Sequence, residues 1–265
     1  MSVLRSRLSS VVLCLLAALP GVSIAQRADS PKQQRQQISV AEQYLFSAAN
    51  AERVQRGLPP LQWDDALYLA ASAHADAMAA HNTISHQFVG EPALSARGSK
   101  AGAHFNVISE NVAMAPTAVE IHDMWMKSSH HRDNLLDKQV DHIAIRVTRR
   151  NGELYAVEDF ERRVANLSLD DQEQSIAALV QQTGSIELLS SNVDARRTCA
   201  MTSGYSGSRK PWFVMRFTGG DLNRLPGELQ QKLNSGRYHQ ASVGACRDNA
   251  AQDFTTYNIA VLLYP

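Results

Sequence analysis

Apolar residues recur at helical spacing twice near the start of the chain. From Val40 to Arg56 there is no Gly or Pro, and Tyr44, Leu45, Ala48 and Ala49 share a side, which predicts a helix ended by Gly57 and the Pro59-Pro60 pair. A second helix is predicted from a cap at Asp64 or Asp65 to about His81, with Leu67, Ala70, Ala71, His74, Ala77, Met78 and His81 as its apolar stripe. Periodicity then fades, and Asn82 to Met114 reads as a polar loop punctuated by Gly90, Pro92, Gly98 and Gly102. Pro116 opens a third helix through Trp125, with Ala118, Ile121 and Trp125 on one face. Val140 to Arg149 alternates, Ile143, Ile145 and Val147 against Ala144 and Arg146; Asn151-Gly152 and a second β-prone run, Leu154 to Phe160, complete a hairpin.

Beyond Arg163 the pattern changes. Ser168-Leu169-Asp170-Asp171 caps a helix to about Gln182, and a short helix is predicted from Pro226 to Leu233. Strands are predicted at Trp212 to Phe217, Tyr238 to Cys246 and Phe254 to Leu263, with Trp212, Phe213, Phe217 and Tyr238 read as core. The expectation is an α+β chain with a first domain at 39–163 and a smaller, mostly β module at 164–265; no internal repeat between them is visible.

The ends and the composition narrow the class. Arg5 and Arg7, the apolar run Val11 to Leu19, Pro20-Gly21 and the small residues Ser23 and Ala25 form the pattern of a cleaved secretory signal at 1–25, too short to remain as a bilayer span. Residues 26–38, polar and Gln-rich, read as a disordered tether. The whole chain balances 26 basic against 26 acidic residues. Losing Arg5 and Arg7 leaves 24 against 26, a net charge of about −2, which argues against a nucleic-acid partner. Removal of the leader also removes Cys14, so Cys199 and Cys246 remain as a pair expected to form one disulfide in a secreted or periplasmic protein.

Eight of the nine histidines fall between His74 and His142. His74 and His81 are expected as core histidines of the second helix; His104, His122, His142 and His239 carry no pattern that points to chemistry. His86, Glu110 and His131 differ, because each lies beside small or polar residues (Ile84-Ser85-His86, Ser109-Glu110-Asn111, Ser128-Ser129-His130-His131-Arg132) and none belongs to an apolar stripe. Two imidazoles and a carboxylate brought together by loops would make a divalent-metal or proton-transfer site.

An ordered set of short motifs resembles the CAP superfamily, the cysteine-rich secretory, antigen-five and pathogenesis-related group whose domain is also called SCP. They are Asn50 and Arg53 with Gly57-Leu58-Pro59-Pro60-Leu61, then Trp63-Asp64, Ala71 with His74-Ala75 and Met78, and Ser85-His86. Glu110-Asn111-Val112-Ala113, Trp125 with Ser128, and His131-Arg132 with Asn134-Leu135-Leu136 follow, over roughly residues 40–161. The resemblance implies a three-layer α-β-α sandwich with His86, Glu110 and His131 in a cleft. Ser128 stands where the animal and plant branches carry a second acid, as in bacterial branches, which weakens any cation site by one negative charge.

Two functions follow from that resemblance. One is a secreted binding module whose cleft takes a divalent cation such as zinc, a small ligand or an extracellular partner. The other is a metal-dependent hydrolase in which His86 and His131 hold the metal and Glu110 is the general base. The chain has neither H-E-x-x-H nor G-x-S-x-G, since Gly204-Tyr205-Ser206-Gly207-Ser208 fails at its last position, so binding is the favoured expectation.

Overall fold

The first helix, α1 (Val40–Gln55), starts at a capping box in which Ser39 accepts from the Glu42 amide and the Glu42 carboxylate accepts from the Ser39 amide. A two-residue strand β1 (Gln62–Trp63) leads to α2 (Asp65–His81), capped by Asp64, whose carboxylate accepts from the amides of Ala66 and Leu67 at 2.8 Å. Next come α3 (Leu94–Ala101), β2 (Phe105–Ala115), α4 (Ala118–Lys127) and α5 (Ser129–Leu135), then the hairpin β3 (His142–Arg150) and β4 (Glu153–Arg163). This computed structural model describes residues 38–183, 186–247 and 253–265; the leader at 1–25 and all but the last residue of the tether at 26–38 lie outside them.

These elements form a three-layer sandwich around a sheet of order β1-β3-β4-β2. Leu45 and Ala49 of α1, Ile121 and Trp125 of α4 and Leu135 of α5 pack on Ile143, Ile145, Ala156 and Phe160. The opposite face is covered by α2, whose Ala71, Ala75 and Met78 meet Val112, Tyr155 and Val157. Because both faces are covered, β4 is buried continuously from Leu154 to Glu161. The β3–β4 turn puts Asn151 at φ 51° and Gly152 at φ 87°, the left-handed pair that a type I′ turn requires.

Several expectations need correction. Asn82 to Met114 is not all loop: it holds α3 and all of β2 but its last residue, Ala115. Tyr44 and His81 are exposed rather than core, and the buried positions of α1 include Glu42 and Arg53. Both are satisfied internally. Glu42 accepts from the Val147 amide at 3.0 Å, and Arg53 donates to the carbonyls of Pro59, Leu135, Asp137 and Val140, tying α1 to the segment that leads into β3.

The C-terminal half contains α6 (Leu169–Gln181), β5 (Glu187–Leu188), α7 (Val193–Cys199), β6 (Phe213–Gly219), α8 (Gly227–Leu233), β7 (Gln240–Cys246) and β8 (Tyr257–Tyr264). Its sheet, of order β5-β7-β8-β6, repeats the connectivity of the first. A short strand after the first helix pairs in parallel with the third strand in both (β1 with β3, β5 with β7), and the other two pairings are antiparallel in both. Helices α6 and α8 lie on one face, where Ile176, Val180, Leu229 and Leu233 meet Ala241, Val243, Ile259 and Val261; Ala195 of α7 meets Leu262 and Tyr264 on the other. The repetition reaches a single hydrogen bond. Glu173 of α6 accepts from the Ala245 amide at 2.8 Å, and Ala245 stands in β7 where Val147 stands in β3.

The absence of a visible repeat in the sequence is thus overturned at the level of topology. Cys199, at the end of α7, is bonded to Cys246, at the end of β7, with Cα atoms 5.7 Å apart. Trp212 is 59% exposed, contrary to its expected core place, whereas Tyr238 is buried and Phe213 and Phe217 pack against the core from its margin. Ile38 to Pro265 form one compact body.

Candidate functional site

The site is built on β2, the edge strand of the first sheet. Its pleat turns Glu110 toward the α2–α3 side, like Val112, and Asn111 toward the α4–α5 side, like Ala113. Glu110 is buried, and both of its carboxylate oxygens are occupied. Oε1 is 2.9 Å from Nδ1 of His86, which lies in the segment after α2, and Oε2 accepts from a guanidinium NH2 group of Arg97 on α3. Arg97 also donates at 3.1 Å to the carbonyl of His86, so one buried guanidinium holds both the backbone of His86 and the carboxylate its ring meets.

His74 lies behind this pair, fully buried, with Nδ1 2.7 Å from Glu91 and Nε2 2.7 Å from the carbonyl of Ser85; Nε2 is also 3.8 Å from Glu110. The expectation of a satisfied core histidine therefore holds for His74, but its partners are the segment carrying His86.

On the other side of the strand, Asn111 donates to the carbonyl of His131 at 2.9 Å and to Glu158 of β4 at 3.0 Å. Asn134 donates to Asn111 at 2.9 Å and to the Glu110 carbonyl at 3.3 Å. The two asparagines thus knit α5 to the edge of the sheet. His131 sits inside α5 and Glu110 in mid-strand, so of the three expected site residues only His86 lies on irregular chain. Ser128 joins α4 to α5; among the described residues its hydroxyl bonds to neither Glu110 nor His131.

The electrostatics separate the two imidazoles. The hydrogen bond to Glu110 raises the pKa of His86 against the opposing effect of partial burial. Burial lowers that of His131, helped by the positive charges of His86 and His130. The side chain of His86 is 62% exposed, against 3% for Glu110. Of this pair it is the His86 imidazole that faces solvent, with the carboxylate held beneath.

Sequence reasoning missed the acids underneath. Asp159, opposite Glu110 in the β2–β4 register, is fully buried, and burial together with the charge and proximity of Glu110 raises its pKa strongly. Burial pushes Glu158 up to about 8 despite the bond from Asn111, and pushes Glu161, beside Asp64, up to about 8 as well. The signal was present: Glu158-Asp159 interrupts an apolar β run, where a solvated strand would alternate instead. Arg97 had no such signal, since Ala96-Arg97-Gly98 reads as loop.

This donor set is a poor match for a resident metal. Among the described residues no group of three or more His, Cys, Asp or Glu side chains is arranged to hold a metal ion. Glu110 is already taken by Arg97 and His86, which leaves two imidazoles, short of the three or four ligands of a zinc centre. The residues present do not fit a tightly held zinc.

The fold and this edge-strand site define a class, and the comparisons agree. Residues 46–160, which carry most of the first sheet and its helices, match the family described as CAP, cysteine-rich secretory protein family. The chain is similar to a Bacillus subtilis protein named "Uncharacterized protein YkwD", 31% identical over 109 residues, covering 41% of this chain and 42% of that protein. It is also similar to the "Uncharacterized membrane protein YlbC" of the same organism, 28% identical over 147 residues and covering 54% and 40%. The chain thus spans about two fifths of the length of these curated relatives. Among solved structures, an extracellular protein containing an SCP domain from Bacillus anthracis is 27% identical with a TM-score of 0.43, covering 46% of this chain and 40% of that one. No helix among the described residues is long and apolar enough to cross a membrane.

Proposed function

We propose that this chain is an exported, non-catalytic binding module whose cleft presents His86 and His131 to a small ligand or a weakly held divalent cation. The observation that carries the reading is the state of Glu110. A general base needs a carboxylate oxygen free to accept a proton from water. Both oxygens of Glu110 are engaged, one by a buried guanidinium and one by His86, so its work is to orient His86. A cation meeting the exposed imidazole would be bound at a low ligand count and would exchange readily.

The test uses zinc as the probe and thermal unfolding as the readout. Zinc is expected to raise the Tm of the wild-type chain at pH 7.5 and to lose that effect in His86→Ala and in His131→Ala. The effect weakens toward pH 5, where protons compete for the imidazoles. No stabilisation of the wild type, or an equal response in the variants, overturns the cation part of the proposal. Turnover of any ester or peptide that Glu110→Gln abolishes in a folded protein would replace binding with hydrolysis.

A further inference from the structure

The two halves share a strand topology, and one of the connections at which they differ bears on the site. In the first sheet β3 and β4 are joined by Asn151-Gly152 alone, whereas in the second the corresponding connection, between β7 and β8, runs from 247 to 256. The described end of that connection lies on the first half. The Thr255 amide donates to the Phe105 carbonyl of β2 at 2.7 Å, Asp253 accepts from the Ser95 hydroxyl of α3 at 2.8 Å, and the Phe254 ring stands edge-on to Phe105 with centroids 5.4 Å apart.

Phe105 is fully buried, and Gly98 of α3 rests on its ring: a Cβ added at Gly98 would lie 2.9 Å from Phe105 Cε1. Ser95 and Gly98 bracket Arg97, the residue that holds Glu110 and the His86 carbonyl. The contact from the second half therefore falls on the short helix that carries the central cation of the first half's cleft.

The second half does not repeat the polar side chains of this site at the corresponding strand positions. In register, Val214 and Leu262 stand where Glu110 and Asp159 stand, and Met215 and Val261 where Asn111 and Glu158 stand. The polar positions of the site are apolar in the second copy.

We propose that the C-terminal half, a copy of the CAP-like strand topology with apolar residues at the site positions, acts as a brace, its residues 253–255 holding α3 so that Arg97 stays on Glu110. Asp253, Phe254 and Ser95 are on this view positioning residues, acting through Arg97. The proposal rests on the reading of the His86–Glu110 cleft as the binding site, but it can fail separately, because its test needs no ligand.

The experiment follows the guanidinium N–H signals of Arg97 by NMR in the full mature chain. In the wild type these protons exchange slowly with water, since the group is buried and paired. In Asp253→Ala/Phe254→Ala their exchange is expected to accelerate by about tenfold or more, the change that a ~1.4 kcal/mol easier opening would give. The amide protection of Val243 in the second sheet should be unchanged. Phe254→Tyr, which keeps the edge-on ring, should restore slow exchange. Should the double variant not fold, Ser95→Ala removes one bond of the brace and gives a smaller acceleration of the same sign. Arg97 exchange unchanged in a folded variant overturns the proposal, as does equal loosening of Arg97 and Val243, which would mean general destabilisation.

Discussion

Glu110 in β2 and Val214 in β6 occupy the same place in two sheets of the same strand order, Glu110 opposite Asp159 and Val214 opposite Leu262. The same scaffold therefore packs with apolar residues where the first half keeps carboxylates. Burying an acid is costly unless it is paired, and replacing a buried ion pair by apolar groups is often neutral or stabilising. The fold does not require Glu110, so its presence is explained by what it holds, the exposed His86 imidazole and the buried guanidinium that fixes it.

One consequence concerns Arg97, which is buried with Glu110 as its hydrogen-bonded ionic partner and Glu91 3.8 Å away. Glu110→Ala leaves that guanidinium without its hydrogen-bonded carboxylate and should cost about 3 kcal/mol. Adding Arg97→Met should recover at least half of the loss, since the second change removes the unpaired charge. Urea unfolding of the two single variants and the double closes the cycle. A double variant no more stable than Glu110→Ala would show that the pair is not the source of the cost.

A second consequence is an unusual dependence on pH. Glu158 has its folded pKa raised to about 8 from an ordinary 4.5, chiefly by burial. In that window the unfolded chain has released the proton and the folded chain still holds it, so rising pH favours unfolding. The stability associated with this group is complete below about pH 4.5 and is lost as the pH climbs toward 8, with a limiting slope of about 1.4 kcal/mol per pH unit. Glu158→Gln keeps an amide oxygen to accept from Asn111 and removes the titration. It should gain stability over wild type between pH 5 and pH 8, read as a widening gap in urea midpoint. A gap that stays constant would place the Glu158 proton elsewhere.

How much of this was readable beforehand depended on whether a residue's neighbours along the chain resemble its neighbours in space. Helices α1 and α2 and the β3–β4 hairpin were legible because capping residues, apolar stripes and the Asn151-Gly152 turn are local signals. Strand β2 was not, because Ser109, Glu110 and Asn111 interrupt its apolar pattern: the residues that make the site also hide the strand that carries it. Helix α3 was hidden for a related reason, since Gly98, demanded by the approach of Phe105, looks like a loop marker. The repeated topology was invisible because corresponding positions differ in chemistry, carboxylate and amide in one half against Val, Leu and Met in the other. His86, Glu110 and His131 were singled out by their small and polar neighbours and then by family motifs, whereas the role of Arg97 emerged only from the packing of α3 on β2.

The packing of α7 supplies the last prediction. Helix α7 runs so close over β7 that a Cβ at Gly244 would lie 2.2 Å from the backbone carbon of Ala195 and 2.2 Å from the Arg196 nitrogen. Backbone cannot rotate aside as a side chain can, so Gly244→Ala must lift α7 off Leu262 and Tyr264. Overpacking of this kind costs roughly 1–3 kcal/mol, and this position should fall at or above the top of that range. The helix is also held at its far end by the Cys199–Cys246 bond, which resists the lift. Gly244→Ala should therefore cost less in a Cys199→Ser/Cys246→Ser background than in the oxidised chain, a non-additivity that urea unfolding of the four proteins would reveal. Strict additivity would mean that α7 accommodates the methyl group without moving against its disulfide.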